Sequence, residues 1–224
     1  MTERNVWFVR HGYRQDYTDP QWKQTAQYPR DTPLSNTGMQ QAQDLVARLG
    51  HANIQHIFVS PYLRTLQTVD PLSMAKGSDI SLNVEPGFGE IVSERNNSAL
   101  SLTDPERQTR FPQINQDYES IWQPIMTETS QDAMTRASLV LAKILVNYSG
   151  NLLIVSHESP IRGMVKSLTH PKQKVRCSFC GVTELTLANN QWHLKSNGDV
   201  SHLSTPTRWS TFFMDYCRRR GWQG

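Results

Sequence analysis

Apolar positions along this chain recur in two spacings, and together they predict strands interleaved with helices. Residues 5–9 form a short apolar run that Arg10-His11-Gly12 ends, which predicts a buried strand. Residues 13–36 are polar, carry Pro20, Pro29 and Pro33, and read as a long loop. Thr37 with Gln40 three residues on has the form of a capping box. Ala42, Leu45, Val46 and Leu49 then recur at helical spacing until Gly50 supplies a stop. Residues 56–59 predict a second strand. Ser60-Pro61 reads as an N-cap with proline in the first turn, opening a helix that runs to about Met74. Residues 81–84 predict a third strand, closed by the turn Glu85-Pro86-Gly87.

Residues 91–129 lack a clean period and hold Pro105, Pro112 and Pro124, so they read as an insertion or lid. Met134, Ala137, Leu141, Ile144, Leu145 and Tyr148 mark an amphipathic helix that stops near Gly150. Residues 152–155 are a strongly apolar strand followed by Ser156-His157-Glu158, and Ser159-Pro160 starts the next helix. Residues 182–187 and 192–194 fit a hairpin about Asn189-Asn190, and residues 195–224 read as irregular. Strands alternating with helices predict one α/β domain over the 224 residues. Its layers are α/β/α around a mostly parallel sheet, with 91–129 inserted. Such sheets bind ligands beyond the carboxyl ends of their strands.

Composition narrows the function classes. Hydrophobic residues make up 37% of the chain, enough to exclude a disordered polymer. The formal charge of +3 provides no broad basic face for nucleic acid, and the one dense basic run, Arg218-Arg219-Arg220, reads as a solvated chain end. No apolar stretch approaches the roughly 18 residues that a membrane span needs, and no leader pattern precedes the first strand. A soluble, cytoplasmic protein is expected. Cys177, Cys180 and Cys217 are too few and too odd in number for a disulfide framework, which suits a reducing compartment. Cys177 and Cys180 form a C-x-x-C without a second ligand pair, so they read as the start of a strand rather than a zinc site.

The predicted strand ends carry the candidate chemistry. The first strand delivers Arg10, His11 and Arg14, the second Ser60 and Arg64, and the 152–155 strand His157; Glu90 lies just past the third. Three arginines and two histidines at one sheet edge make an anion pocket, because the planar guanidinium fork matches phosphate oxygens. A metal would usually want a carboxylate or a third histidine converging on the site, and the surrounding arginines would repel a cation, so neither a metal nor a cofactor is expected. From the residues alone, each histidine reads equally as a hydrogen-bonding group and as a catalytic one.

Four segments resemble one family. Arg10-His11-Gly12 after an apolar strand, the run from Ser60-Pro61 through Arg64 to Thr68, and Val155-Ser156-His157 are three of them. The fourth is Pro33-Leu34-Ser35-Asn36-Thr37-Gly38 with Gln41-Ala42. Together they resemble the histidine phosphatase, or phosphoglycerate-mutase-like, superfamily. Within it, Arg10 to Asp16, Val84 to Glu90, and Cys180 with Glu184-Leu185 resemble the subgroup of the suppressors of T-cell receptor signalling and the ecdysteroid-phosphate phosphatases. The resemblance implies that His11 is a nucleophile and that Arg10, Arg14, Arg64 and His157 hold the phosphoryl group. It also implies that Glu90 is the general acid and base, with Glu85 as the competing carboxylate. The implied activity is metal-independent hydrolysis of a phosphomonoester, either a small molecule or a phosphoprotein.

Two positions depart from the family pattern. Glu158 stands where the family has a small residue; its charge is expected either to raise the pKa of His157 or to repel phosphate. Tyr13 stands where the subgroup has Glu. Two other functions stay open. A phosphoglycerate-type mutase would want a basic lid, for which Arg95, Arg107 and Arg110 are candidates against Glu94, Asp104, Glu106, Asp117 and Glu119. A catalytically inactive binding module on the same fold is the other. Phe212, Phe213 and Tyr216 are expected to pack on the core or on a second copy in a homodimer.

Overall fold

The computed structural model describes residues 3–77, 80–92, 100–123 and 127–205. The expectations for Glu94, Arg95, the tail aromatics and the arginine run lie outside these residues.

Six strands form one sheet in the order β3-β2-β4-β1-β5-β6. Strands β1 (Arg4–Arg10), β2 (His56–Val59), β3 (Leu82–Val84) and β4 (Leu152–Ser156) are parallel. Strands β5 (Val182–Ala188) and β6 (Gln191–Asp199) extend the β1 side antiparallel, joined through Asn189 and Asn190, both at positive φ. Side chains alternate across the sheet with the strand period of two. Trp7, Val9, Ile57, Val59, Leu153 and Val155 pack under helices α2 (Asn36–Leu49) and α3 (Leu63–Lys76). Val6, Phe8, Phe58, Leu152 and Ile154 pack under α5 (Ser130–Asn147) and α6 (Glu158–Leu168). The result is the expected three-layer α/β/α arrangement around a mostly parallel sheet.

Several element boundaries differ from expectation, and each difference has a local cause. Helix α2 begins two residues earlier than the Thr37-Gln40 pair suggests: Ser35 is the N-cap, its Oγ accepting from Gly38 N at 3.2 Å. The loop 13–36 contains a 3-10 turn, Gln15–Tyr17, and a single helical turn, α1 (Trp22–Thr25), both too short to show a period. Within 91–129, the described residues include α4 (Asp104–Arg110). It has no buried face and is held by Glu106, which accepts from Thr103 N at 2.7 Å. The C-x-x-C does not begin a strand. It closes a turn before β5, with Cys180 at φ 50°. Strand β6 continues to Asp199, beyond the expected 194. No helix among the described residues is long and apolar enough to cross a membrane.

Candidate active site

Strand register assembles the site. Arg10 pairs with Ser156 and Val59 with Val155, so the next residues on β1, β4 and β2 are His11, His157 and Ser60, side by side. Beyond β3, Glu85 and the 3-10 turn Pro86–Phe88 lead to Glu90. All four parallel strands end at this edge, and a ring nitrogen of each histidine and a carboxylate oxygen of Glu90 lie within 4.8 Å of one another.

His11 is 1% exposed. Its Nδ1 lies 2.8 Å from the Gly12 carbonyl, which only accepts, so Nδ1 carries the hydrogen and Nε2 presents a lone pair. Burial, then the charges of Arg64, Arg10 and Arg14, hold its pKa well below 6.5. A neutral imidazole with a defined tautomer is the form able to act as a nucleophile. Gly12 is required by close packing: a Cβ there would come within 2.9 Å of the Gly38 carbonyl oxygen.

His157 is fully buried between Ser60 and Arg64. Ser60 Oγ lies 2.8 Å from its Nε2, and Arg64 Nη2 is 3.3 Å from its Nδ1. Burial, followed by Arg64, His11, Arg10 and Arg14, pushes its pKa well below 6.5. The structure corrects the expectation for Glu158. Its carboxylate points at Arg10 Nη1 (3.0 Å) and Arg162 Nη2 (2.7 Å), not at His157, and so does not hold that ring charged. Ser60 is corrected as well: α3 starts at Leu63 with Tyr62 as N-cap, and the Ser60 hydroxyl meets His157 instead. The next helix starts at Glu158 with His157 itself at the N-cap position.

The three arginines are presented differently. Arg64 is 1% exposed, and its Nη2 lies 3.5 Å from Glu90 Oε2. Arg10 lies 4.1 Å above the Phe179 ring, with Nη1 donating to the Cys177 carbonyl at 2.7 Å. The Nε donors of both Arg10 and Arg64 are buried with no partner among the described residues, a costly condition that an entering oxyanion relieves. Arg14 instead gives Nε and Nη2 to Asp16, at 2.8 and 2.6 Å. Burial opposes its charge, but that pairing outweighs burial and raises its pKa. The bidentate edge of Arg14 is therefore already in use.

The competing carboxylates separate by their surroundings. Glu85 is fully buried and accepts from Gly87 N (2.7 Å), Tyr118 Oη (2.6 Å) and Ile121 N (2.7 Å), which makes it structural. Glu90 keeps 26% of its side chain exposed, with Oε2 3.5 Å from His157 Nδ1. Glu90 is thus a carboxylate that converges on both histidines. Even so, the Arg64 guanidinium already stands beside two of the three groups that a cation would need.

Two further residues escaped the sequence reading. Asp31, 2% exposed, accepts from Leu63 N at 2.9 Å and from Ser101 N and Oγ at 2.8 Å, and lies 3.9 Å from Arg64 Nη1. Arg136 donates to the carbonyls of Gly87 (2.6 Å) and Gly89 (3.2 Å), fixing the turn before Glu90. Neither sits in a motif, and only the tertiary fold brings them to the site. Cys177 and Cys180 are buried free thiols, and burial pushes the Cys177 thiol up to about 11. Next to the histidines, a cleft of about 280 Å³ is lined by Arg14, Lys23, Arg30, Tyr62, Arg64 and Glu90, among others.

A family model, the histidine phosphatase superfamily (branch 1), matches residues 6–200. The probable phosphoglycerate mutase GpmB of Salmonella typhi is 27% identical over 213 residues, covering 90% of this chain and 95% of that one. Two solved structures share the fold. One is the ecdysone phosphate phosphatase of Bombix mori in complex with tungstate, with a TM-score of 0.72 and 18% identity over 93% of this chain and 99% of that one. The other is the phosphoglycerate mutase of Bacillus anthracis str. Sterne, with a TM-score of 0.63 and 19% identity over 91% and 96%. With paired histidines at the ends of β1 and β4 and a family match over most of its length, the chain belongs to the histidine phosphatase superfamily, branch 1.

Proposed function

We propose that the protein hydrolyses phosphomonoesters through a phosphohistidine on His11. The observation that carries this reading is the His11 Nδ1 contact to the Gly12 carbonyl at 2.8 Å, which leaves Nε2 free to attack amid buried cationic donors. In the first step the Nε2 lone pair attacks phosphorus in line and the ester P–O bond breaks. Glu90, in its protonated form, gives its proton to the leaving oxygen. In the second step water attacks the phosphohistidine, Glu90 takes the water's proton, and phosphate leaves with His11 neutral again. Arg10, Arg64 and His157 hold the equatorial oxygens, with Arg14 reaching them through Nη1. The protein's contribution is positioning and electrostatic stabilisation.

A mutase is the second reading, and one observation favours it beyond the relatives' names. Lys23 and Arg30 line the cleft and supply positive charge that a substrate carboxylate would use. The lid cations Arg107 and Arg110 do not line it; Arg107 is paired with Asp104.

The test is turnover of 4-nitrophenyl phosphate in EDTA from about pH 4.5 to 8, beside His11→Ala. The expected result is wild-type turnover, a trapped acid-labile phosphoenzyme, and neither in the variant. Undiminished turnover by His11→Ala would sink the proposal. Transfer from a bisphosphate to phosphoglycerate in preference to water would move the mutase ahead.

A further inference from the structure

Glu158 touches no reacting group, yet it meets the one arginine that enters the site from the β1 terminus. Arg10 Nη1 donates to the Cys177 carbonyl at 2.7 Å and forms an ion pair with Glu158 Oε2 at 3.0 Å. The guanidinium face lies 4.1 Å over Phe179. This leaves Nε and Nη2, the two parallel donors of the side-on edge, and Nε is buried without a partner among the described residues. That edge is the one that grips a phosphoryl group bidentately. Arg14, by contrast, spends the same edge on Asp16.

We infer that Glu158 is a positioning residue for Arg10, fixing the rotation of the guanidinium so that its Nε–Nη2 edge is presented to the phosphoryl group. The inference rests on the anion-site reading above. The cost of a carboxylate near an anion is offset by Arg162, which holds the other Glu158 oxygen at 2.7 Å across one helical turn. The arrangement is a relay of three side chains, from the partly exposed Arg162 through Glu158 to the buried edge of Arg10. Its effect is orientation rather than net charge. An arginine freed from such a hold must be ordered again at each binding event, a loss of about three- to tenfold in affinity for one long side chain.

Orientation and charge are separable because an amide keeps an oxygen of the same reach beside Arg10 Nη1 while carrying no charge. The experiment measures binding of orthovanadate and of inorganic phosphate by calorimetry to the wild type, Glu158→Ala and Glu158→Gln, with KM and kcat for 4-nitrophenyl phosphate alongside. The expected result is weaker binding and a KM raised about three- to tenfold in Glu158→Ala, with Glu158→Gln within about twofold of wild type. Glu158 is a partly exposed carboxylate at the start of α6, so equal melting temperatures are the control for folding. Equal effects of the two substitutions would mean that charge alone acts and would overturn the positioning role. An unchanged Glu158→Ala would overturn it as well. Wild type that binds vanadate but turns nothing over would instead count against the hydrolase reading and leave the binding comparison intact. Wild type that binds neither anion would overturn both.

Discussion

Ser60 Oγ lies 2.8 Å from Nε2 of His157, at the adjacent ends of β2 and β4, and this contact orients a fully buried ring. With Nε2 engaged by the hydroxyl, Nδ1 is the nitrogen that faces Arg64 and Glu90. Ser60→Ala removes the side-chain partner that Nε2 has among the described residues. The expected outcome is a fall in kcat of about three- to tenfold, the worth of one buried hydrogen bond, with KM little changed. Steady-state kinetics beside Ser60→Thr, which keeps the hydroxyl, checks it; equal losses in both variants would assign the effect to packing.

Glu90 is proposed to protonate the leaving oxygen, so its importance should scale with how poor the leaving group is. Glu90→Gln is expected to lose about 10²–10⁴ in kcat/KM, which reports only the first step, on alkyl phosphates and far less on 4-nitrophenyl phosphate, whose phenolate leaves unaided. A loss of the same size on both substrates would show that Glu90 acts through Arg64 rather than as an acid.

The two carboxylates of this turn predict opposite phenotypes. Glu85→Ala leaves Gly87 N, Tyr118 Oη and Ile121 N without their acceptor in the interior. The expected cost is about 3 kcal/mol, a fall in Tm of about 6–12 °C for a chain of this size. Glu90→Gln is expected to leave Tm within about 2 °C. Thermal unfolding followed by circular dichroism distinguishes them, and a stable Glu85→Ala would contradict the structural role.

Stability should fall with acid through the two site histidines. Burial and the arginine charges depress both pKa values below 6.5 in the folded chain. Above pH 6.5 both states hold these rings neutral and the contribution is flat. Below it the unfolded chain binds protons that the folded one refuses, so stability drops as pH falls from 6.5 toward the folded values. The slope is at most about 1.4 kcal/mol per pH unit for each ring. Urea midpoints between pH 7.5 and 5 are expected to decline more steeply for wild type than for His11→Asn/His157→Asn. Parallel slopes would mean that the rings do not carry the effect.

The layers of the fold and the placing of His11, His157, Arg64 and Glu90 at one edge were legible in the sequence, because apolar runs ending in polar residues report buried parallel strands directly. Helix starts were less legible. Ser35, Thr37 and Ser60 are all chemically able to cap, and only tertiary context decides which hydroxyl is used: the Ser60 hydroxyl is engaged by His157, and Tyr62 takes the N-cap position. Helix α4 was hidden because it buries no side chain and so leaves no periodic trace. The direction of Glu158 was invisible for a related reason. A residue next to His157 in sequence points away from it once a helix begins there, and its partner Arg10 lies on another element.

Asp31 has a consequence for how this chain tolerates change. One carboxylate ties down the first turn of α3 through Leu63 N and the segment at Ser101 through two further donors. Exchanging the residues around Ser101 for those of a relative is therefore not a neutral graft. Without donors at that place Asp31 Oδ2 would lose its partners, and the less compensated carboxylate, whose Oδ1 lies 3.9 Å from Arg64 Nη1, would draw that guanidinium toward itself. A loop transplanted to change what the protein accepts would then also change how it grips phosphate.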